Sequence, residues 1–154
     1  MTAYYIESSA MVKRYAKEKG TNFLIGLLRP SAKNFLYSAK ITEVEVCAAL
    51  ARRRQGLTLT ANQTAKSISR FRRIFAKRFF AIDLTDQIIG EAIRLTDNHV
   101  LRGYDAVQLA TALVANRKRL NDGLTELVFA SADKELNDAA QVEGLPVENP
   151  NNYP

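Results

Sequence analysis

Short apolar runs alternate with longer segments in which apolar residues recur every three or four positions, from one end of the chain to the other. The short runs are rich in Tyr, Phe, Val and Ile and predict strands at 3–6, 35–38, 80–82, 127–130 and 146–148. The longer segments predict the helices between them. One starts at Ser8 or Ser9, carries Met11, Val12 and Tyr15, and stops at Gly20; a short one follows Thr21. A third starts where Thr42 and Glu45 stand in the T-x-x-E order of a capping box, and ends at Gly56. Within 61–79, Ile68, Phe71, Phe75 and Phe79 fall three and four apart, one face of an amphipathic helix whose other faces carry arginines. Thr85 caps a helix to about Asn98, another runs from Gly103 or Tyr104 to about Asn116, and a last one covers 133–143 with Gly144 closing it. The polar stretch 117–124 reads as a loop. Strands and helices alternating in this way predict an α/β domain on a parallel sheet.

Composition narrows the class. The chain has 154 residues, 47% of them apolar and 25% charged, which is the size and balance of one globular domain with a single core. Charges at Glu7, Lys13, Arg14 and Lys17 interrupt the N-terminal apolar positions, and no run of apolar residues is long enough to span a bilayer. Neither a signal peptide nor a membrane span is expected. The single cysteine, Cys47, has no partner for an internal disulfide, and the single histidine, His99, forms no zinc-type cluster. A reducing cytoplasm is the expected compartment. The 22 Lys and Arg against 16 Asp and Glu give a net charge of +6, which suits a polyanionic partner and equally suits plain solubility.

Candidate chemistry comes from where the acids fall. In an open parallel sheet, ligands bind beyond the carboxyl ends of the strands. Glu7 follows the first strand directly, Glu45 lies in the first turn after the second, Asp105 opens a helix, and Asp133 comes three residues after 127–130. Each alone is also what a helix start favours, because the macrodipole stabilises a carboxylate there by roughly 0.3–1 kcal/mol. Four in one crevice exceed that: crowded carboxylates raise one another's pKa or take up a cation, and hard oxygen donors select Mg²⁺ or Mn²⁺. Glu43 competes with Glu45 for the second position. Two residues turn a helix by about 200°, so only one of them faces the crevice.

The blocks that hold these acids resemble those of PIN-domain proteins. The run Tyr4-Tyr5-Ile6-Glu7-Ser8-Ser9-Ala10-Met11-Val12-Lys13 is similar to the family's opening strand and first acid. Glu45-Val46-Cys47-Ala48-Ala49-Leu50 resembles its Glu-bearing helix, Tyr104-Asp105-Ala106-Val107-Gln108-Leu109-Ala110-Thr111-Ala112 its most distinctive segment, and Ser131-Ala132-Asp133 its late acidic motif. Gly144-Leu145-Pro146-Val147 with Asn149-Pro150 is like its usual ending, so the likeness runs through the whole chain. The resemblance implies a three-layer α/β/α sandwich on a mostly parallel sheet of about five strands, spanning 1–154 as one domain. It also implies a Mg²⁺ or Mn²⁺ site made by Glu7, Glu45, Asp105 and Asp133, and hydrolysis of RNA. Small bacterial members of this kind are commonly VapC-type ribonuclease toxins, held by a small cognate antitoxin and often homodimeric. One departure stands out: the family's first acid is normally Asp, and Glu7 is one methylene longer. Its carboxylate is expected to project further into the site or to require a retreat of the backbone, so a PIN-fold module that binds RNA or protein without cutting it stays open beside the nuclease.

Supporting roles follow from position. Ser8 and Ser131 can orient the carboxylates or simply cap helices. Lys13 and Arg14, beside the first acid, are placed to reach RNA, and basic clusters at 52–54, 70–78 and 117–119 can hold phosphates or be solvated faces. The Phe71, Phe75 and Phe79 stripe is expected in the core or a homodimer contact, with an antitoxin segment as the alternative; Cys47 reads as core and His99 as structural.

Overall fold

The computed structural model describes residues 1–154. Its centre is a five-stranded sheet of β1 (Ala3–Ile6), β2 (Phe35–Ala39), β3 (Phe79–Ile82), β4 (Leu127–Ala130) and β5 (Val147–Glu148). The strands lie in the order β3-β2-β1-β4-β5 and every pair is parallel. Ala3 pairs with Phe35 on one side and Leu127 on the other. Because side chains alternate along a strand, Ala3 and Tyr5 enter one core and Ile6 the other. On the first face pack α5 (Asp86–Asn98), α6 (Gly103–Asn121) and α7 (Lys134–Val142). The second carries α1 (Ser8–Met11), α2 (Thr21–Leu28), α3 (Thr42–Gln55) and α4 (Ala61–Arg78). The two cores hold 18 and 15 buried residues, so both faces are covered, as a parallel sheet requires. This is the three-layer α/β/α arrangement.

From β1 the chain moves outward to β2 and β3, then returns to add β4 and β5 on the opposite side. The order therefore reverses between β1 and β4, and a crevice opens at their carboxyl ends. Glu7 follows β1, and its N–H donates to Ala130 O at 3.0 Å.

Four local expectations are corrected. The first helix ends at Met11, tightens to a 3₁₀ turn over Val12–Arg14 and does not reach Gly20. Thr21 explains this: its hydroxyl donates to Lys13 O at 2.7 Å and accepts from Glu18 N–H at 2.9 Å, folding the chain back. Gly20 caps α2 at φ +86, and a Cβ there would lie 2.5 Å from Pro150 O, so only glycine fits. Thr42 and Glu45 make no capping box. Ile41 is the N-cap, Thr42 is already helical, and its buried hydroxyl meets Ser38 and Gln108. Helix α6 continues to Asn121, so 117–121 is helix; Arg119 anchors that end by donating to Thr125 O and Tyr37 OH at 2.8 and 2.9 Å. Arg119 is buried and bound to protein groups, which removes it from the phosphate-binding candidates. In the 61–79 segment Phe71 and Phe75 lie in the core, and Phe79 is half-buried in β3, stacked on Phe75 at 5.2 Å. Core packing is thus the use of Phe71 and Phe75. No helix is long and apolar enough to cross a membrane.

Candidate active site at the carboxyl ends of the strands

Glu7 leaves β1 in an extended conformation (φ −80, ψ 157) and becomes the N-cap of α1. Its carboxylate turns back onto that helix start: Oε1 accepts from Ser8 Oγ at 2.7 Å, and Oε2 accepts from Ser9 N–H at 2.9 Å and from the Ser9 hydroxyl. The residue is 3% exposed. The additional methylene thus does not carry the carboxylate outward, as expected from length alone; it lets the side chain curl into a serine cradle. Burial pushes the Glu7 pKa up, opposed by hydrogen bonds from Ser9, Ser8 and Ser131.

Glu45 approaches from α3. Its Oε1 accepts from Gln108 Nε2 at 2.6 Å and its Oε2 lies 3.1 Å from Ser8 Oγ. Ser8 has one hydroxyl proton between two carboxylates, so it serves Glu7 or Glu45 but not both at once. Burial again raises the Glu45 pKa, with the charge of Asp105 adding to it. Glu43 points elsewhere and pairs with Lys40 at 3.3 Å and Arg72 at 3.1 Å.

Asp105 opens α6 without an ion-pair partner. Burial first, then the charges of Glu7 and Asp133, push its pKa up to about 6; Arg102 opposes this and Glu135 adds to it. Asp133 is the N-cap of α7: Oδ1 accepts from Leu136 N–H at 3.1 Å, leaving Oδ2 unshared. Buried Ser131 accepts from Asp133 N–H at 3.1 Å and lies 3.3 Å from Ser9 Oγ, which in turn accepts from Ala132 N–H at 2.9 Å. The serines therefore stitch the loops after β1 and β4 together. Lys13 does not reach the crevice: it is 7% exposed, donates to Lys19 O at 3.1 Å and faces Glu18 at 3.6 Å. Arg14 lies over the Tyr15 ring at 5.4 Å.

Sequence reasoning missed Gln108, the residue that fixes Glu45. Its Oε1 accepts from Tyr5 OH at 2.7 Å, and Tyr5 OH accepts from Ala39 N–H at 3.1 Å. Because Tyr5 gives its proton to Oε1, the amide nitrogen must face Glu45 and Thr42, at 2.6 and 2.9 Å. A polar residue three positions after Asp105, inside an otherwise apolar helical segment, was the available signal. Glu135, whose charge reaches Asp105, was also overlooked.

The acids gather through their fields more than through contact. No three Asp, Glu, His or Cys side chains stand close enough to share one ion. The donor set nevertheless suits Mg²⁺ or Mn²⁺, which keep much of their water and are held by one or two carboxylates plus substrate oxygens. Glu45 and Asp105 fit that role best, since Asp105 has both oxygens unshared while Glu7 is spent on the serines.

No family model matches the chain. Two curated proteins of Mycobacterium tuberculosis, Ribonuclease VapC45 (strain CDC 1551 / Oshkosh) and Ribonuclease VapC49 (strain ATCC 25618 / H37Rv), are each 30% identical over 147 residues, covering 96% of this chain and 95% of theirs. Among solved structures, that of VapBC2 from Rickettsia felis bound to a DNA fragment from its promoter aligns with a TM-score of 0.63 at 14% identity, over 96% of this chain and 98% of the other.

Proposed function

The chain belongs to the VapC family of ribonucleases, with the family's PIN-type fold, and from that premise we propose that it is a Mg²⁺- or Mn²⁺-dependent endoribonuclease, the toxin of a pair with a small antitoxin. The observation that carries this is Asp105: a half-buried carboxylate, pushed to about 6, among acids and without a paired cation. Glu45 and Asp105 would hold the metal directly, with Asp133 and Glu7 acting through water. When bound, such a cation lowers the pKa of a water and offsets charge growing on the phosphate oxygens. The protein's part is placement. Gln108 aims Glu45, Ser8 and Ser9 keep Glu7 in place, and the unshared Oδ2 of Asp133 can take the proton of the attacking water. The proposal extends to a homodimer and a cytoplasmic setting, where Cys47 stays reduced.

Incubating purified protein with structured RNAs tests the reading. Cleavage that needs Mg²⁺, stops with EDTA and falls by about 10²–10⁴-fold in Asp105→Asn and Glu45→Gln is the expected result. Undiminished cleavage by either variant overturns it. The serine cradle around Glu7 favours a second reading, in which the PIN fold binds RNA or protein without cutting. Glu7→Asp separates the two: a shorter acid that restores metal binding and cleavage to an inert wild type supports it, and equal cleavage by both forms removes it.

A further inference from the structure

The net charge of +6 is confined to one helix. Helix α4 carries Lys66, Arg70, Arg72, Arg73, Lys77 and Arg78 and no acid, while the rest of the chain holds 16 basic and 16 acidic residues. Two of the six cations are occupied: Arg72 pairs with Glu43 at 3.1 Å, and Arg78 donates to Leu28 O. The other four are exposed and have no ion-pair or hydrogen-bond partner. They stand four, three and four residues apart, which at about 100° per residue places them within a stripe about 60° wide and about 16 Å long. Between them Ala65 and Ser69 leave a shallow recess of about 360 Å³, lined also by Lys66, Arg70 and Arg73. Like charges at these spacings repel and weaken a helix, and a solvated face ordinarily mixes signs.

The helix that carries the stripe touches the turn that follows α1. Ser67 Oγ lies 3.2 Å from Tyr15 O, and the charges of Arg14 and Arg70 both act on the Tyr15 hydroxyl. Arg14 closes the 3₁₀ turn that continues α1, the helix capped by Glu7. Resting on the ribonuclease reading, we infer that Lys66, Arg70, Arg73 and Lys77 form a phosphate-binding track that holds an RNA strand and leads it past Arg14 to the acids. Contacts of this kind carry no sequence preference; they set affinity and register.

The test uses the full chain, a fluorescent single-stranded RNA, EDTA to prevent cleavage, and anisotropy titrations from 50 to 300 mM salt. Each phosphate contact adds about 0.7 to the slope of log K against log salt on a single strand, so replacing all four cations with Gln should lower that slope by about 2–3 and weaken binding at least about tenfold. Lys66→Arg, Arg70→Lys, Arg73→Lys and Lys77→Arg together should bind like wild type. A control that removes the same charge elsewhere, Arg29, Lys33, Lys118 and Lys134 to Gln, should leave the slope nearly unchanged; equal losses in both sets overturn the track, and so does an unaltered slope in the α4 set. Parallel reactions with Mg²⁺ separate this from the activity itself. RNA held by the stripe but never cut keeps the track and removes the ribonuclease reading, whereas cutting with unchanged KM in the α4 variant removes the track and keeps the ribonuclease.

Discussion

Two groups of acids in this molecule have opposite electrostatics. On the outer surface of α5 and α7, the side chains of Glu91 and Glu143 are only 14% and 16% exposed. Arg94 reaches both, at 2.9 and 3.1 Å, Arg117 also pairs with Glu91, and His99 Nε2 lies 3.0 Å from Glu143. Those guanidiniums hold both carboxyls below their usual range. In the crevice, burial raises Glu7, Glu45 and Asp105 instead, and repulsion from neighbouring carboxylates adds to it at Glu45 and Asp105. Deeper burial and the lack of a paired guanidinium together separate the crevice acids from the outer ones. The difference is that a chain with 22 basic residues pairs none of them with the crevice acids, which is the arrangement expected where a cation is to be bound from outside.

Glutamines at these two places should separate the groups most sharply. Glu45→Gln is expected to remove cleavage, and Glu91→Gln or Glu143→Gln to leave kcat within about twofold, because the outer acids touch nothing in the crevice. The next effect belongs to Gln108. Gln108→Leu strips Glu45 of its closest donor and leaves the buried Tyr5 hydroxyl without its acceptor, at a cost of about 1–3 kcal/mol to the fold. Loss of a residue that orients a metal ligand typically costs 10–100-fold in metal affinity, so Mn²⁺ titration by calorimetry should weaken by about that factor. A variant that loses stability but binds Mn²⁺ like wild type would reduce Gln108 to packing.

Much of this contrast was legible in the chain. Strands at 3–6 and 127–130 are apolar runs with an acid close behind, and local pattern is enough to find those. What was not legible depends on partners distant in sequence. Thr42 and Glu45 have the spacing of a capping box, yet Gln108, 66 and 63 residues away, claims both side chains. The 70–78 cluster looks uniform, and only the fold reveals that Glu43 and Leu28 O occupy Arg72 and Arg78 while their neighbours stay free. Arg119 lies within the 117–124 stretch that reads as a loop; its partners Tyr37 and Thr125 turn it into a buried anchor. The curl of Glu7 rests on a serine at each of the next two positions, a local feature whose geometric consequence spacing does not reveal.

The smallest effect is also the one that reads the two groups against each other, as opposite slopes of stability with pH. Asp105 has a folded pKa of about 6, above its ordinary value of 3.8, so between about pH 4 and 6 the folded state holds more protons than the unfolded one and loses stability as pH rises. That loss is complete by pH 8, and Asp105→Asn escapes it. With Asp105 only half-buried and screened by solvent, the relief is about 1 kcal/mol, or about 2–4 °C in Tm at pH 8 in EDTA, fading toward zero at pH 4. Glu143 runs the other way. Its folded pKa lies below the ordinary 4.5, so the stability it contributes is present above that value and disappears as pH falls through the folded pKa. Glu143→Gln should therefore lower Tm by about 1–3 °C at pH 7, less in high salt, and progressively less as pH falls below the ordinary 4.5. Thermal melts of the wild type and both variants at pH 3, 4, 6 and 8 measure the two slopes directly. If Asp105→Asn is no more stable than wild type at pH 8 without metal, Asp105 is neutralised within the protein, and the case for a cation drawn from solution loses its main support.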